Sequence, residues 1–344
     1  MLQIESTKFR TCAEVRESLQ DACAGKARLA RFYTLGDSEE GRPIDAVVLG
    51  HGKRNVSLIA GAHADEPAGP ETLRHLIIDG LKEDSTLTPW LQDFTFIIIP
   101  HINPDGEARN QTWIKEWPNF ESYLQNVFRE LPGRDVEFGF PHMRVENKLV
   151  GGFLKKFAPF EVHTSLHGMG VADGAMLLIE KHWIERTKEL QKKYADILKR
   201  ARLQLHDHDR KGDKGFQYIG PGFTTTPEGQ AMQAYFRSIG DEETANCFHL
   251  SSMEFVRTLG SDPLCLVTEI PLFYIQKQIL HPQPGVPTAH LEFRKILPDL
   301  RQKLSQHQSS QKEIAEFNIE HLPLDLLVHL QFQAIKLGLE TILI

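Results

Sequence analysis

The sequence predicts an α/β protein with a mostly parallel or mixed central sheet flanked by helices. Two patterns carry that prediction. Apolar runs of strand length alternate with stretches of helical periodicity along the chain. Several of those runs are apolar at successive positions, as in strands covered on both faces.

Taken in order, DAVVLG (45 to 50) and VSLIAGA (56 to 62) are strands, the second having the short continuous run of a buried parallel strand. Pro67 and Pro70 suit only the first turn of a helix, which places a helix near 68 to 82. FTFIIIP (94 to 100), FEVHTSLH (160 to 167), GAMLLIE (174 to 180) and LCLVTEI (264 to 270) are further strands, with a charged helix near 182 to 203. Segments 101 to 159 and 204 to 230 are rich in Gly, Pro and polar residues, and long loops of that kind shape clefts. No internal repeat interrupts this order. From about residue 300 the chain becomes Gln- and Ser-rich (QKLSQHQSSQKE) and then amphipathic, with Leu326, Leu330 and Ile335 on one helix face. The expected organisation is a catalytic domain over 1–299 and a C-terminal helical extension over 300–344, packed on the domain or used for partner binding or dimerisation.

Composition narrows the function classes. The 344 residues are 41% hydrophobic and 25% charged, an ordinary globular composition, and the net charge of −7 offers no attraction to nucleic acid or anionic membrane. The start, MLQIESTKFRTCAEVRES, is polar and amphipathic, and no apolar run of about 18 residues occurs. Secretion and membrane spanning are therefore not expected. Cys12, Cys23, Cys247 and Cys265 lie far apart without a CxxC pair, which suits reduced thiols in a cytoplasmic protein. In that compartment the triplets NVS and NQT are not glycosylated.

Polar residues at strand ends are the next signal, because ligands in open α/β sheets bind beyond the carboxyl ends of the strands. The stretch IAGAHADEPAG ends an apolar strand in His63 and follows it three places later with Glu66. An imidazole and a carboxylate at i, i+3 can hold one divalent ion. His167, ending FEVHTSLH, adds a second imidazole, and a His₂Glu set leaves a position open for water, the pattern of a catalytic zinc site. Glu269 in LCLVTEIP stands near another strand end, available as general base to the metal-bound water.

These residues carry a resemblance. EEGRPIDAVVLG, GAHADEPAG, HINPDGEAR, SLHG and LVTEIP occur in the order of the zinc carboxypeptidase family, whose members include carboxypeptidase A and the bacterial murein peptide amidases, over roughly residues 30 to 280. The resemblance implies a zinc-carboxypeptidase-like fold and one Zn²⁺ ion on His63, Glu66 and His167, with Glu269 as the base that also passes a proton to the leaving amine. It further implies an Arg after NPDG that polarises the scissile carbonyl. Arg109 is the candidate, with Arg129, Arg134 and Arg144 as alternatives.

Two departures bear on the substrate. Family exopeptidases commonly carry a stretch like GxDLNRNFP, whose Asn-Arg pair grips a terminal carboxylate, and the counterpart here is GRDVEFGFP (133 to 141). Glu137 and Phe138 then replace Asn and Arg, so the substrate-binding residues are expected to be Glu137, Phe138 and Arg144, and Glu137 to favour a cationic or neutral group. The family's mobile Tyr is replaced by Thr in GFTTTPEGQAMQAYF, with Tyr218 and Tyr235 several residues away. His163 shares a strand face with His167, His101 follows a strand at a position facing the cleft, and His206 and His208 lie in a charged loop. The expected activity is a metallopeptidase-type hydrolysis of a peptide or small amide; the alternatives are an N-acyl amino acid deacylase of the aspartoacylase type and a ligand-binding relative without turnover.

Overall fold

A computed structural model describes residues 8–83, 85 and 87–343, so the first seven residues of the polar start lie outside it. Its strands are β1 (Ala30–Asp37), β2 (Pro43–Gly50), β3 (Arg54–Ala60), β4 (Phe94–Ile99), β5 (Val162–Ala172), β6 (Met176–Ile179), β7 (Tyr218–Gly220), β8 (Phe223–Thr225), β9 (Leu264–Ile275) and β10 (Ile319–His321). They form one mixed sheet in the order β1-β2-β4-β3-β5-β9-β6-β8-β7, with β10 pairing the end of β9. The central run β4-β3-β5-β9 is parallel, and antiparallel strands flank it on both sides. The predicted class is the observed one.

The continuous apolar runs have the expected cause. Val56, Leu58 and Ala60 of β3 point into one core with the helices Ala68–Gly80 and Leu324–Ile342, while Ile59 packs on the other face with Ile97, Ile99, Val150 and Phe153. Alternate side chains of one strand thus serve two cores, which favours apolar residues on both faces, with Ser57 buried between them as a hydrogen-bond partner of His163. Pro67 caps the helix Ala68–Gly80 and Pro70 lies in its first turn, where a missing N–H breaks no intrahelical bond.

Three expectations change. β5 and β9 do not end near His167 and Glu269: they continue as partners to Ala172 and Tyr274 after β3 has stopped at Ala60. Segment 101 to 159 is not simply loop, since it contains the helices Pro104–Arg109, Gln111–Lys115, Phe120–Asn126 and Val145–Leu154, each too short for a clear period in sequence. Finally, residue 300 falls inside the helix Thr288–Ser305. The helix Leu324–Ile342 belongs to the layer covering the sheet, with Gly338 seated on Leu266 of β9 and Gln331 buried against β5.

All four cysteines are free thiols. Among the described residues, no helix is long and apolar enough to cross a membrane.

Candidate metal centre

The site lies in a notch of the sheet. β3 ends at Ala60, the partner of Leu166, so His167 is the first β5 residue with no β3 neighbour. The chain leaves β3 through Gly61 at φ +70°, its backbone so close to the His101 imidazole that a Cβ would sit 2.4 Å from Nδ1. The following turn, closed by Glu66 N–H donating to the His63 carbonyl at 3.2 Å, swings both side chains over the notch.

His63 Nδ1 lies 3.1 Å from Glu66 Oε1, and His167 Nδ1 lies 2.9 Å from both His63 Nδ1 and Glu66 Oε2. One donor atom from each of these three residues falls within 4.8 Å of the others. Gly168 N–H donates to Glu66 Oε2 at 3.1 Å and fixes the carboxylate against the strand. The outer nitrogens face acids: His63 Nε2 meets Asp135 Oδ2 at 3.3 Å, and His167 Nε2 meets Glu137 Oε2 at 3.2 Å. Arg129 completes the ring, contacting Glu66 and pairing Nε with Asp65 Oδ1 at 2.7 Å.

This arrangement fits a divalent cation. Asp65, Glu66, Asp135 and Glu137 surround two imidazoles and a single guanidinium, a local excess of negative charge. Two Nδ1 lone pairs at 2.9 Å need a proton or a metal ion between them and the carboxylate. The proton affinities show the same demand. Burial and Arg129 oppose charge on His63, yet Glu66 and Asp135 hold it well above the usual imidazole range. Burial opposes charge on His167 too, but Glu66 and Glu137 bring it to about 9. Glu66 is held well below the usual carboxylate range despite its burial, by Arg129, His63 and His167. Such a pocket stabilises positive charge, and a carboxylate behind each imidazole leaves its Nδ1 as the ligand atom.

Glu269 is the register partner of His167 across the parallel pair, so their side chains emerge side by side. Burial first, and then the charge of Glu66, push its carboxyl up to about 7. A third strand reaches it as well: Met176 of β6 is its antiparallel partner.

The other expected residues lie elsewhere. Arg109 is not at the cluster; it pairs with Glu40 on the surface and lies 5.0 Å over Phe128. The guanidinium that reaches Glu66 is Arg129, one of the alternatives. Glu137, 3% exposed, is turned inward on His167 and is not an open substrate contact. Phe138 is buried edge-on against Phe248 at 5.4 Å, and Arg144 is buried in a 2.8 Å pair with Glu146. Their inward placement follows from segment 135–138 being part of the core: Val136 is fully buried and Phe138 N-terminal to a bridge at Phe140. His163 bonds Ser57 and Ser252 at 3.0 and 3.2 Å, His101 is buried, and His206 pairs with Asp173 at 2.7 Å.

Sequence reasoning missed Asp135, Asp65 and Arg210. Asp135 and Glu137 flank a bend at Val136, so their joint placement at the site comes from the turn and not from a strand period. Arg210 had no signal. It stacks 4.1 Å over Phe216, makes no ion pair among the described residues, and feels the charges of Glu269 and Arg294. Phe216 and Met169 both pack on the cluster containing Met176, the register partner of Glu269. Tyr123 is also close enough to feel Asp65 and Arg129, with Gly170 making room for its hydroxyl.

Residues 15–147 match the family model described as zinc carboxypeptidase. Carboxypeptidase B of Astacus astacus is 28% identical over 124 residues, covering 35% of this chain and 41% of that protein. A protein named inactive metallocarboxypeptidase ECM14, from Ajellomyces capsulatus (strain H143), is 37% identical over 94 residues, covering 24% and 15%. The chain thus spans less than half the length of these curated relatives. In fold it is similar to the carboxypeptidase A of Helicoverpa armigera, with a TM-score of 0.54 and 12% identity over 97% of this chain and 74% of that one. Thrombin-activatable fibrinolysis inhibitor is similar with a TM-score of 0.52 and 11% identity, over 96% and 78%. Residues 15–147 are thus similar to the zinc carboxypeptidase family model, and the fold is similar to that of carboxypeptidases. One of these curated relatives is named as an enzyme and the other as inactive.

Proposed function

We propose that the protein is a single-zinc amide hydrolase of the metallocarboxypeptidase type, with His63, Glu66 and His167 as ligands and Glu269 as general base. The observation that carries this is the convergence of two Nδ1 atoms and one carboxylate within 4.8 Å, beside a fourth residue, Glu269, in register with His167. A zinc ion held there would supply Lewis acidity and bring the pKa of a bound water to about 7.

The protein's own groups do the rest. Glu269, raised to about 7 by burial and by Glu66, accepts a proton from the attacking water and returns it to the leaving amine, as suits an acid–base group near neutral pH. Arg129, held by Glu66 and Asp65, polarises the carbonyl and stabilises the oxyanion, the part expected of Arg109. Arg210 and Arg294 make no ion pair among the described residues and lie near enough to feel each other, with Arg210 also sensing Glu269. The Arg210 guanidinium, without an ion pair among the described residues and near Glu269, favours a peptide or small amide carrying an anionic group, in place of the cationic or neutral group expected from Glu137.

The test is hydrolysis of a mixed peptide and acyl-amino-acid library by the zinc-loaded protein, read by mass spectrometry against Glu269→Gln. Cleavage by wild type alone supports the proposal, and the products separate a carboxypeptidase from an N-acyl amino acid deacylase. No cleavage of any member would favour a ligand-binding relative.

A further inference from the structure

We propose that the bent tripeptide Asp135-Val136-Glu137 orients both metal-site imidazoles, and that Glu137 is a positioning residue for His167 with no part in reading the substrate. This rests on the zinc-site assignment above.

The carboxylate of Glu137 is fully committed. Its Oε1 accepts from Ser252 N–H at 2.9 Å and from Ser252 Oγ–H at 2.6 Å. Its Oε2 accepts from Ser165 Oγ–H at 3.2 Å and faces His167 Nε2 at 3.2 Å. With 3% of the residue exposed, no oxygen remains for a ligand in the cleft. An anion here without partners would be costly, and the three donors with His167 remove that cost.

The geometry also fixes a tautomer. A carboxylate only accepts, so His167 carries its proton on Nε2 and presents the Nδ1 lone pair to Glu66 and His63. Asp135 does the same for His63, at 3.3 Å from its Nε2. One segment serves both because the chain bends at fully buried Val136, and Asp135 and Glu137 on either side of it reach His63 and His167. Asp135 Oδ1 accepts from Glu137 N–H at 2.9 Å, and Asn147 Nδ2–H donates to the Val136 carbonyl at 2.7 Å. The tripeptide is therefore held at its backbone as well as at its side chains.

Support continues inward. Ser252 spends its hydroxyl proton on Glu137, so it accepts from His163 Nε2–H, and His163 Nδ1 accepts from Ser57 Oγ–H at 3.0 Å. The path Ser57–His163–Ser252–Glu137–His167 joins the interior of the sheet to the site. A side chain that read substrate would need freedom to meet it, and this one is braced from behind.

The experiment compares Glu137→Gln and Ser252→Ala with wild type, reading zinc affinity by competition with a fluorescent chelator, KM and kcat separately, and the melting temperature of the metal-free proteins. Glu137→Gln is expected to weaken zinc binding by about 10- to 100-fold, to lower kcat, and to leave KM within about twofold. Ser252→Ala, which keeps the carboxylate but removes its shortest bond, should weaken zinc binding less, in the same direction. If zinc affinity in both variants stays within about twofold of wild type while Glu137→Gln shifts KM for cationic substrates, the proposal is overturned and Glu137 reads the substrate. Failure of the wild type itself to bind zinc would instead overturn the functional assignment, and this proposal with it.

Discussion

His167 and Glu269 are register partners on adjacent parallel strands, and His167 is also the first residue of β5 to stand clear of β3. One metal-site imidazole and the proposed base thus share one rung of the sheet, and the early end of β3 opens the space above it. The loop carrying His63 and Glu66 fills that space from the β3 side.

The base follows from that rung. Glu269→Gln keeps the shape of the side chain and removes its ability to take a proton. Amide hydrolysis should fall by about 10²- to 10⁴-fold, with zinc affinity little changed. Retention of more than a tenth of the activity would contradict the assignment.

Arg129 and Arg109 separate cleanly. Arg129 touches Glu66 and Asp65, whereas Arg109 pairs with Glu40 away from the cluster. Arg129→Ala is expected to lower kcat by roughly 10²-fold or more, while Arg109→Ala leaves it within about twofold. Steady-state kinetics on any substrate found by library screening decides between them.

Substrate charge is a third point. Arg210→Ala should raise KM about tenfold for substrates carrying a carboxylate next to the scissile bond, as expected on losing roughly 1.4 kcal/mol of binding. The amidated counterparts should be unaffected. An equal effect on both would mean that Arg210 acts by shape and not by charge.

Acid should weaken the metal-free fold through His163. Burial first, acting against the attraction of Glu137, lowers its pKa from 6.5 to about 4, so the folded state keeps it neutral. The unfolded chain binds the proton more readily, so this stabilisation is complete above pH 6.5 and is lost as pH falls toward 4. The loss approaches roughly 3 kcal/mol at the acid end. Urea titrations of the metal-free protein at several pH values should show this fall, and His163→Gln should flatten it.

The last helix should prove inseparable from the domain. Gln331 is fully buried, donates to the His167 carbonyl at 3.0 Å and accepts from Thr72 Oγ1–H at 2.7 Å. Gln331→Leu should cost about 1 to 3 kcal/mol by leaving those groups unpaired, and removal of residues from 324 onward should prevent folding. A stable truncated protein would instead mean that the last helix is dispensable for folding, as for a partner-binding or dimerising helix.

How much of this was legible in sequence depended on the range of the forces involved. The parallel strands were, because burial on both faces writes itself into consecutive apolar residues such as Leu58 to Ala60 and Phe96 to Ile99. The His63, Glu66 and His167 triad was legible too, because each follows or stands on such a strand. The direction of a long side chain was not. Arg109 and Arg129 both follow NPDG, and only the tertiary fold turns one to Glu40 and the other to Glu66. Glu137 looked like a substrate contact by alignment, while the donors that claim it, Ser165 and Ser252, come from segments 28 and 115 residues away. The boundary placed at residue 300 rested on the change to a Gln- and Ser-rich composition there, but that change begins inside the helix Thr288–Ser305, where Leu300 and Leu304 are buried.

The most direct measurement is the zinc stoichiometry of the purified protein, by calorimetric titration of the metal-free form, for wild type and for His63→Ala and His167→Ala. One ion per wild-type chain and a loss of tight binding in both variants is the predicted result. No tight binding by the wild type, or a site that survives both substitutions, would contradict a metal centre built on His63, Glu66 and His167.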